Sequence, residues 1–381
     1  MTQKRTLNTI DTPSLILDIR KVNANINRLK DHLSPFNVSF RPHLKTSKCI
    51  EVARMMMSTP SGPATVSTLK EAEQFAAGGV TDILYAVGIA PGKYQRLAAL
   101  AKSGTGTTVV MDSVAQARDL AAYCTASECE FGVLIEIDCD GHRSGVKPHD
   151  SATLTAIAGE LAGTPAKLKG VMTHAGASYS ESTSQALIEC AEQERKAVAG
   201  AADILNEAGY PCEIVSAGST PTAHFARDLT GVTEIRAGVF AFFDLVMAGI
   251  GVCQPEDIAL SVLTTVIGHQ KEKNWILVDA GWMAMSRDKG TSKQKVDQGY
   301  GVVCDIHGHI YEDLLMVDAN QEHGILSLRS SKGTLPDLPV GTRLRILPNH
   351  ACATAAQHPH YEVTEGEDLS VIHQWQRFYG W

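Results

Sequence analysis

Residues 108–137 read TVVMDSVAQARDLAAYCTASECEFGVLIEI. The apolar run 108–111 is a strand candidate, 114–123 carries apolar residues three and four apart and reads as a helix, and 133–137 is a second strand. Two strands separated by one helix run parallel, joined by a crossover. The same unit continues in both directions. Further strand candidates lie at 15–18, 38–41, 64–66, 83–86, 170–173, 213–216 and 234–236, and helical patterns at 22–33, 69–77, 94–102 and 182–208, with another ending at Met57. About eight such units in roughly 240 residues suit a closed β/α barrel better than an open doubly wound sheet.

After about residue 249 the text changes. Runs 259–268, 275–279, 301–306, 325–330 and 343–347 are β-rich, Gly, Asp, Asn and Pro separate them, and long helical patterns stop. The expected α/β architecture is a (β/α)8 barrel over 11–248 followed by a C-terminal all-β domain over 249–381, with residues 1–10 packing on the latter. A chain of 381 residues has room for one large and one smaller domain. Its 44% hydrophobic and 20% charged residues are ordinary for a globular protein. A net charge of -8 without a basic block excludes a nucleic-acid binder. No run approaches the ~18 apolar residues of a membrane span, and Met1-Thr2-Gln3-Lys4-Arg5 leads into polar sequence without an apolar signal core. The nine cysteines are scattered and form no C-x-x-C pair, which argues against a disulfide scaffold or zinc knuckle and for a reducing cytoplasm.

Three local signals carry chemistry. Arg41-Pro42-His43-Leu44-Lys45-Thr46-Ser47-Lys48 follows an early strand, at the end of a barrel where catalytic groups gather. A lysine desolvated there is a nucleophile or base; alone, Lys45 and Lys48 read equally as solvated loop residues. Ser216-Ala217-Gly218-Ser219-Thr220 joins a strand to a helix, and Ala237-Gly238-Val239 follows the next strand. Small residues there let backbone N–H groups approach a phosphate, although such a turn also serves as a helix cap. In Pro348-Asn349-His350-Ala351-Cys352, an extended backbone points His350 and Cys352 to one face. Imidazole and thiolate suit zinc; the alternative is a buried cysteine beside an unrelated histidine.

Taken together and in order, these stretches resemble the alanine-racemase-like fold-type III pyridoxal-phosphate enzymes, in the branch of D-serine dehydratase, D-threo-3-hydroxyaspartate dehydratase and D-threonine aldolase. Asp11-Thr12-Pro13-Ser14, Asp279-Ala280-Gly281-Trp282 and Gln321-Glu322-His323-Gly324 are similar to that branch as well. The resemblance implies that Lys45 is the Schiff-base lysine and that Gly218, Ser219, Thr220, Gly238 and Val239 cradle the phosphate. It places Tyr179 at the phosphate, His174 beside the cofactor, Arg143 at the ring oxygen and Arg236 at the pyridine nitrogen. It makes His350 and Cys352 ligands of a divalent metal: zinc, or manganese, cobalt or magnesium. It also implies a homodimer in which the partner's β domain closes each barrel mouth.

The implied activity is dehydration of a D-3-hydroxy amino acid, D-serine or D-threo-3-hydroxyaspartate, to a 2-keto acid and ammonia. The aldolase branch resembles His-x-Asp where this chain has His350-x-Cys352, which favours dehydration over D-threonine-type cleavage. An arginine at 236 points the same way, because a guanidinium leaves the pyridine nitrogen neutral and a poorer electron sink. A racemase needs a second base and no metal. A non-catalytic pyridoxal-phosphate carrier would resemble the barrel half alone.

Overall fold

The computed structural model describes residues 5–381. After strand β1 (Ser14–Asp18) come β2 (Ser39–Pro42), β3 (Ala64–Val66), β4 (Asp82–Gly88), β5 (Gly106–Met111), β6 (Phe131–Ile137), β7 (Ala166–Thr173), β8 (Ile214–Ala217) and β9 (Glu234–Ala237). The last eight form one parallel sheet in the order β2-β9-β8-β7-β6-β5-β4-β3. A parallel bridge from His43 to Thr65 joins its two ends, with the Leu44 N–H donating to the Thr65 carbonyl at 2.8 Å. The sheet is therefore a closed β/α barrel. Hydroxyl caps start several of its helices: Thr68, Ser113 and Thr183 accept the backbone N–H groups of Glu71, Gln116 and Ala186. The helix Ser151–Leu161 was not expected. Small and apolar residues lie on most of its sides, so no polar face marks its period.

One ion cluster spans the barrel strands. Arg41 on β2 donates from Nε to Glu234 of β9 at 2.7 Å and from Nη1 to Asp82 of β4 at 2.7 Å. Glu234 also accepts the Ser216 hydroxyl at 2.7 Å, and that hydroxyl accepts Arg236 Nη1 at 2.7 Å. A buried carboxylate persists in such a place because several donors satisfy it. Arg236, a candidate site residue, is thus held by the same cluster that ties β2, β8 and β9.

The β domain contains β10 (Leu260–Gln270), β11 (Trp275–Val278), β12 (Gly301–Asp305), β13 (Ile310–Ala319), β14 (Gly324–Leu328), β15 (Arg343–Pro348), β16 (His360–Glu365) and β17 (Asp368–Gln376). Its sheet runs β11-β14-β13-β12-β15-β10-β1-β16-β17, and a further β10–β11 pairing closes the first six strands into a ring. A register shift between Val266 and Gly268 lets the long β10 serve β1 with one half and β11 with the other. Three of these strands escaped sequence reading. β13 carries an irregularity between Met316 and Asp318 that breaks its alternation, and β16 and β17 are rich in polar residues.

The chain forms two compact units. One unit joins the residues up to Arg28 with Val239–Arg377, and the other joins Leu29–Gly238 with Phe378–Trp381. The cause at the N-terminus is β1, which pairs antiparallel with β10 and parallel with β16 rather than entering the barrel. Four of its five residues are buried, and a strand covered on both faces reads alike in either sheet. At the C-terminus, Phe378 packs edge-on against Phe75, ring centroids 5.0 Å apart. Of residues 1–10, the first four lie outside the described residues. Leu7 and Ile10 pack with Ile16 and Leu263 in the β domain. No described helix is long and apolar enough to cross a membrane.

Candidate active site

Lys45 stands three residues beyond the end of β2, where a β/α barrel carries its chemistry. Its side chain is exposed, so burial by the chain itself does not desolvate the amine as expected. His174 follows the end of β7. Its Nδ1 lies 3.0 Å from the Gly218 carbonyl oxygen; a carbonyl only accepts, so Nδ1 carries the hydrogen and Nε2 keeps its lone pair. Burial, against the Gly218 hydrogen bond and with the positive fields of Lys45, Arg143 and Arg236, lowers the His174 pKa to about 3. His43 is pushed well below the usual histidine value by burial and then by Lys45, Arg236 and His174. The fold thus places His43 in the fields of Lys45 and Arg236, and His174 in those of Lys45, Arg143 and Arg236, with the two histidines neutral.

Arg236 is 4% exposed. Besides Ser216 it donates from Nη2 to the Thr173 carbonyl. Burial lowers its pKa, and Glu234, Glu194 and Glu136 oppose that shift. Arg143 is looser: its side chain is 55% exposed and its Nη2 is 3.9 Å from Glu136. Asp140 instead accepts the N–H groups of His142 at 3.0 Å and Ala177 at 2.9 Å. The half-buried Tyr179 ring lies 6.1 Å from the His174 ring, tilted by 44°.

The two glycine turns are built for close approach. Gly218 has φ +129°, and a Cβ there would lie 2.2 Å from the Arg236 carbonyl oxygen; a Cβ on Gly238 would lie 3.0 Å from the His43 carbonyl oxygen. Val239 follows Gly238 and opens the turn Val239–Ala241. The helix-cap reading of Ser219 holds. It caps the helix Thr220–Phe225, taking the Thr222 N–H on its hydroxyl at 3.2 Å while its own N–H donates to the Thr222 hydroxyl at 2.9 Å. The Gly218 N–H is also engaged, by Glu194 at 3.1 Å. The Thr220 hydroxyl is different: it is buried and has no hydrogen-bond partner among the described residues. An unmet buried hydroxyl beside two turns that admit no side chain fits a phosphate-bearing group.

Glu194 escaped the sequence reading. It lies on the buried face of the helix Ser184–Glu207 with Leu187, Ala191 and Val198. It also accepts the Ala175 N–H at 2.8 Å, so one carboxylate braces the turns after β7 and β8. Burial raises its pKa. A glutamate at a core-facing helical position was the available signal.

The second cluster belongs to the β domain. β15 ends at Pro348, and the helix Ala351–Ala355 begins directly after His350. His350 and Cys352 are therefore brought together at a helix start, not along an extended strand as expected; the run Ala-Cys-Ala-Thr-Ala favours helix. His350 Nδ1 is 2.5 Å from Asp288 Oδ2. Burial alone would lower the His350 pKa; Asp288, the neighbouring Cys352 thiol and Asp244 raise it to about 11. The imidazole and thiol are donors suited to a divalent cation. Among the described residues no group of three or more metal-binding side chains forms. Asp288 was not foreseen as a partner of His350, since the two lie far apart in sequence.

Comparison with known proteins also matches the chain in two parts. Residues 17–246 match the family described as alanine racemase, N-terminal domain, and residues 259–364 match one described as putative serine dehydratase domain. The chain is 50% identical over 380 residues to a D-threo-3-hydroxyaspartate dehydratase of Delftia sp. (strain HT23), covering 99% of each chain. It is 30% identical over 387 residues to a D-serine dehydratase of Dictyostelium discoideum, covering 96% of each. The solved structure of the dehydratase from Delftia sp. HT23 superposes with a TM-score of 0.96 at 50% identity, covering 100% of both chains. A cysteine-to-alanine mutant of a D-threo-3-hydroxyaspartate dehydratase has been solved in the metal-free form, and a histidine-to-alanine mutant has also been solved; the two substituted positions lie two residues apart. By the match over more than half its length and by these full-length likenesses, the chain belongs to the alanine racemase N-terminal domain family, in the branch that carries a serine dehydratase domain behind it.

Proposed function

We propose that this chain is a pyridoxal-phosphate- and divalent-metal-dependent lyase that dehydrates a D-3-hydroxy amino acid, D-threo-3-hydroxyaspartate or D-serine, to a 2-keto acid and ammonia. The observation that carries this reading is 50% identity to a D-threo-3-hydroxyaspartate dehydratase over 380 residues, through barrel and β domain alike. A carrier without catalysis would need only the barrel. The His-x-Cys spacing of the relative's substituted positions supports His350 and Cys352 as the metal ligands.

Bound pyridoxal phosphate supplies an electron sink for the carbanion at Cα. A divalent ion supplies a Lewis acid that makes the substrate hydroxyl an acceptable leaving group. Lys45 would hold the cofactor through Nζ, and the same amine would serve as the base at Cα. The Thr220 hydroxyl would donate to the phosphate, the turns at Gly218, Ser219, Gly238 and Val239 would leave room for it, and Tyr179 would lie beside them. Neutral His174 would flank the cofactor, its Nε2 able to accept, and Arg143 would donate to the ring oxygen. Arg236 commits two of its N–H groups to Ser216 and Thr173 and keeps others to donate to the pyridine nitrogen. His350 and Cys352 hold the ion. After release, the enamine product becomes an imine and hydrolyses to keto acid and ammonia.

A panel of D- and L-3-hydroxy amino acids tests the assignment. Keto acid and ammonia should appear in equal amounts from D-threo-3-hydroxyaspartate or D-serine, with little from the L-isomers. Aldehyde and glycine as the main products would replace this reading with the aldolase one.

The active form is a cytoplasmic homodimer, in keeping with the resemblance to fold-type III enzymes and the scattered cysteines. Sedimentation of active holoenzyme should give the mass of a dimer; a fully active monomer would overturn it.

A further inference from the structure

The backbone around His350 is clamped from two sides. The Asn349 side chain, 2% exposed, donates to the Gly299 carbonyl at 2.7 Å and accepts the Thr291 hydroxyl at 2.8 Å. Its own carbonyl accepts the Val246 N–H at 3.2 Å. On the other side, the Ala351 N–H donates to buried Asp244 at 3.0 Å, and Asp244 also takes the Met247 N–H at 3.0 Å. These bonds fix the peptide that carries the imidazole, and they leave the ring free to turn about its side-chain bonds.

The ring is held from elsewhere. Asp288 Oδ2 lies 2.5 Å from Nδ1. A carboxylate accepts and does not donate, so the imidazole hydrogen sits on Nδ1 in the neutral form and the free lone pair is on Nε2. Asp288 is tied into the same fabric. Its carbonyl is 3.4 Å from Asn349 Nδ2, and its N–H donates to the Ser286 hydroxyl at 3.2 Å. Thr291, three residues on, is fully buried and fastens the loop by accepting the Gln298 N–H at 3.0 Å. The loop that carries Asp288 is therefore anchored to the residue beside His350.

The geometry points to Asp288 as a positioning residue of the metal site: its carboxylate selects the His350 tautomer and ring angle that present Nε2 to a divalent ion next to the Cys352 thiolate. Carboxylates behind ligating histidines act in this way and also make the ligand more basic. The inference rests on the reading that His350 and Cys352 hold such an ion.

The test is zinc binding by metal-stripped holoenzyme in equilibrium dialysis, with the His350→Ala, Cys352→Ala double variant giving the background from other thiols. Asp288→Ala should weaken zinc binding about 10- to 100-fold. Asp288→Asn, which keeps an acceptor and loses the charge, should fall between it and the unmodified protein. Both should keep the cofactor absorbance. The zinc concentration for half-maximal activity should rise in step with the dissociation constant. If Asp288→Ala and Asp288→Asn bind zinc as the unmodified protein does while the His350→Ala, Cys352→Ala variant loses it, the positioning role is wrong and the metal site stands. If that double variant binds zinc as tightly as the unmodified protein, the metal site itself is wrong and the inference falls with it.

Discussion

Lys45→Ala is expected to abolish turnover. Loss of the base alone costs about 10²–10⁴-fold, and the same substitution removes the covalent anchor of the cofactor. Lys45→Arg keeps the positive charge near His43 and His174 but offers no amine of suitable basicity, so it should be equally inactive. The assignment has a direct chemical readout. Borohydride reduction of holoenzyme followed by peptide mapping should place the pyridoxyl label on Lys45. Lys48, the near rival in sequence, pairs with Glu71 at 3.1 Å and is not expected to react. A label on Lys48, or Lys45→Ala enzyme that still releases keto acid at an undiminished rate, would overturn the role of Lys45.

The second large effect concerns the metal. A Lewis acid at a leaving group is worth several kcal/mol, so its removal should slow elimination on the order of 10³-fold. Chelation should do this and leave the yellow cofactor absorbance intact, because the proposed cofactor residues, Lys45 and the glycine turns, follow barrel strands whereas His350 and Cys352 belong to the β domain. Cys352→Ala should behave like chelated enzyme and be partly relieved by excess metal, since His350 still offers one ligand. Cys352→Asp is the sharper variant. It places a carboxylate where the aldolase branch has one, and it should retain metal and shift some flux to aldehyde. Verified metal-free enzyme that eliminates ammonia at the original rate would show that the ion plays no part in the step.

Much of the fold was legible because the repeating signals are local. The strand–helix alternation from 38 onward, the helix bounds Leu69–Ala77 and Tyr94–Lys102, and the change of texture near residue 249 follow from periodicity and turn residues that act over a few positions. Lys45, the two glycine turns and His350-x-Cys352 could be proposed from the sequence for the same reason: each is a short stretch beside a strand end.

What tertiary structure decided are pairings between distant residues. The sequence of β1 dictates a buried strand and cannot say which sheet will bury it; hydrogen bonds to β10 and β16, more than 240 residues away, settle that. Ser219 and Gly218 looked like phosphate donors, but Thr222 and Glu194 already take their N–H groups, and the unmet hydroxyl is Thr220. His350 and Cys352 were visible as a pair, whereas Asp288, 62 residues earlier, was not. Local propensity and pattern bound a residue's conformation and exposure. They do not carry the hydrogen-bond partner that fixes a tautomer or satisfies a buried oxygen, because that partner is supplied by chain closure and packing, which no local stretch encodes.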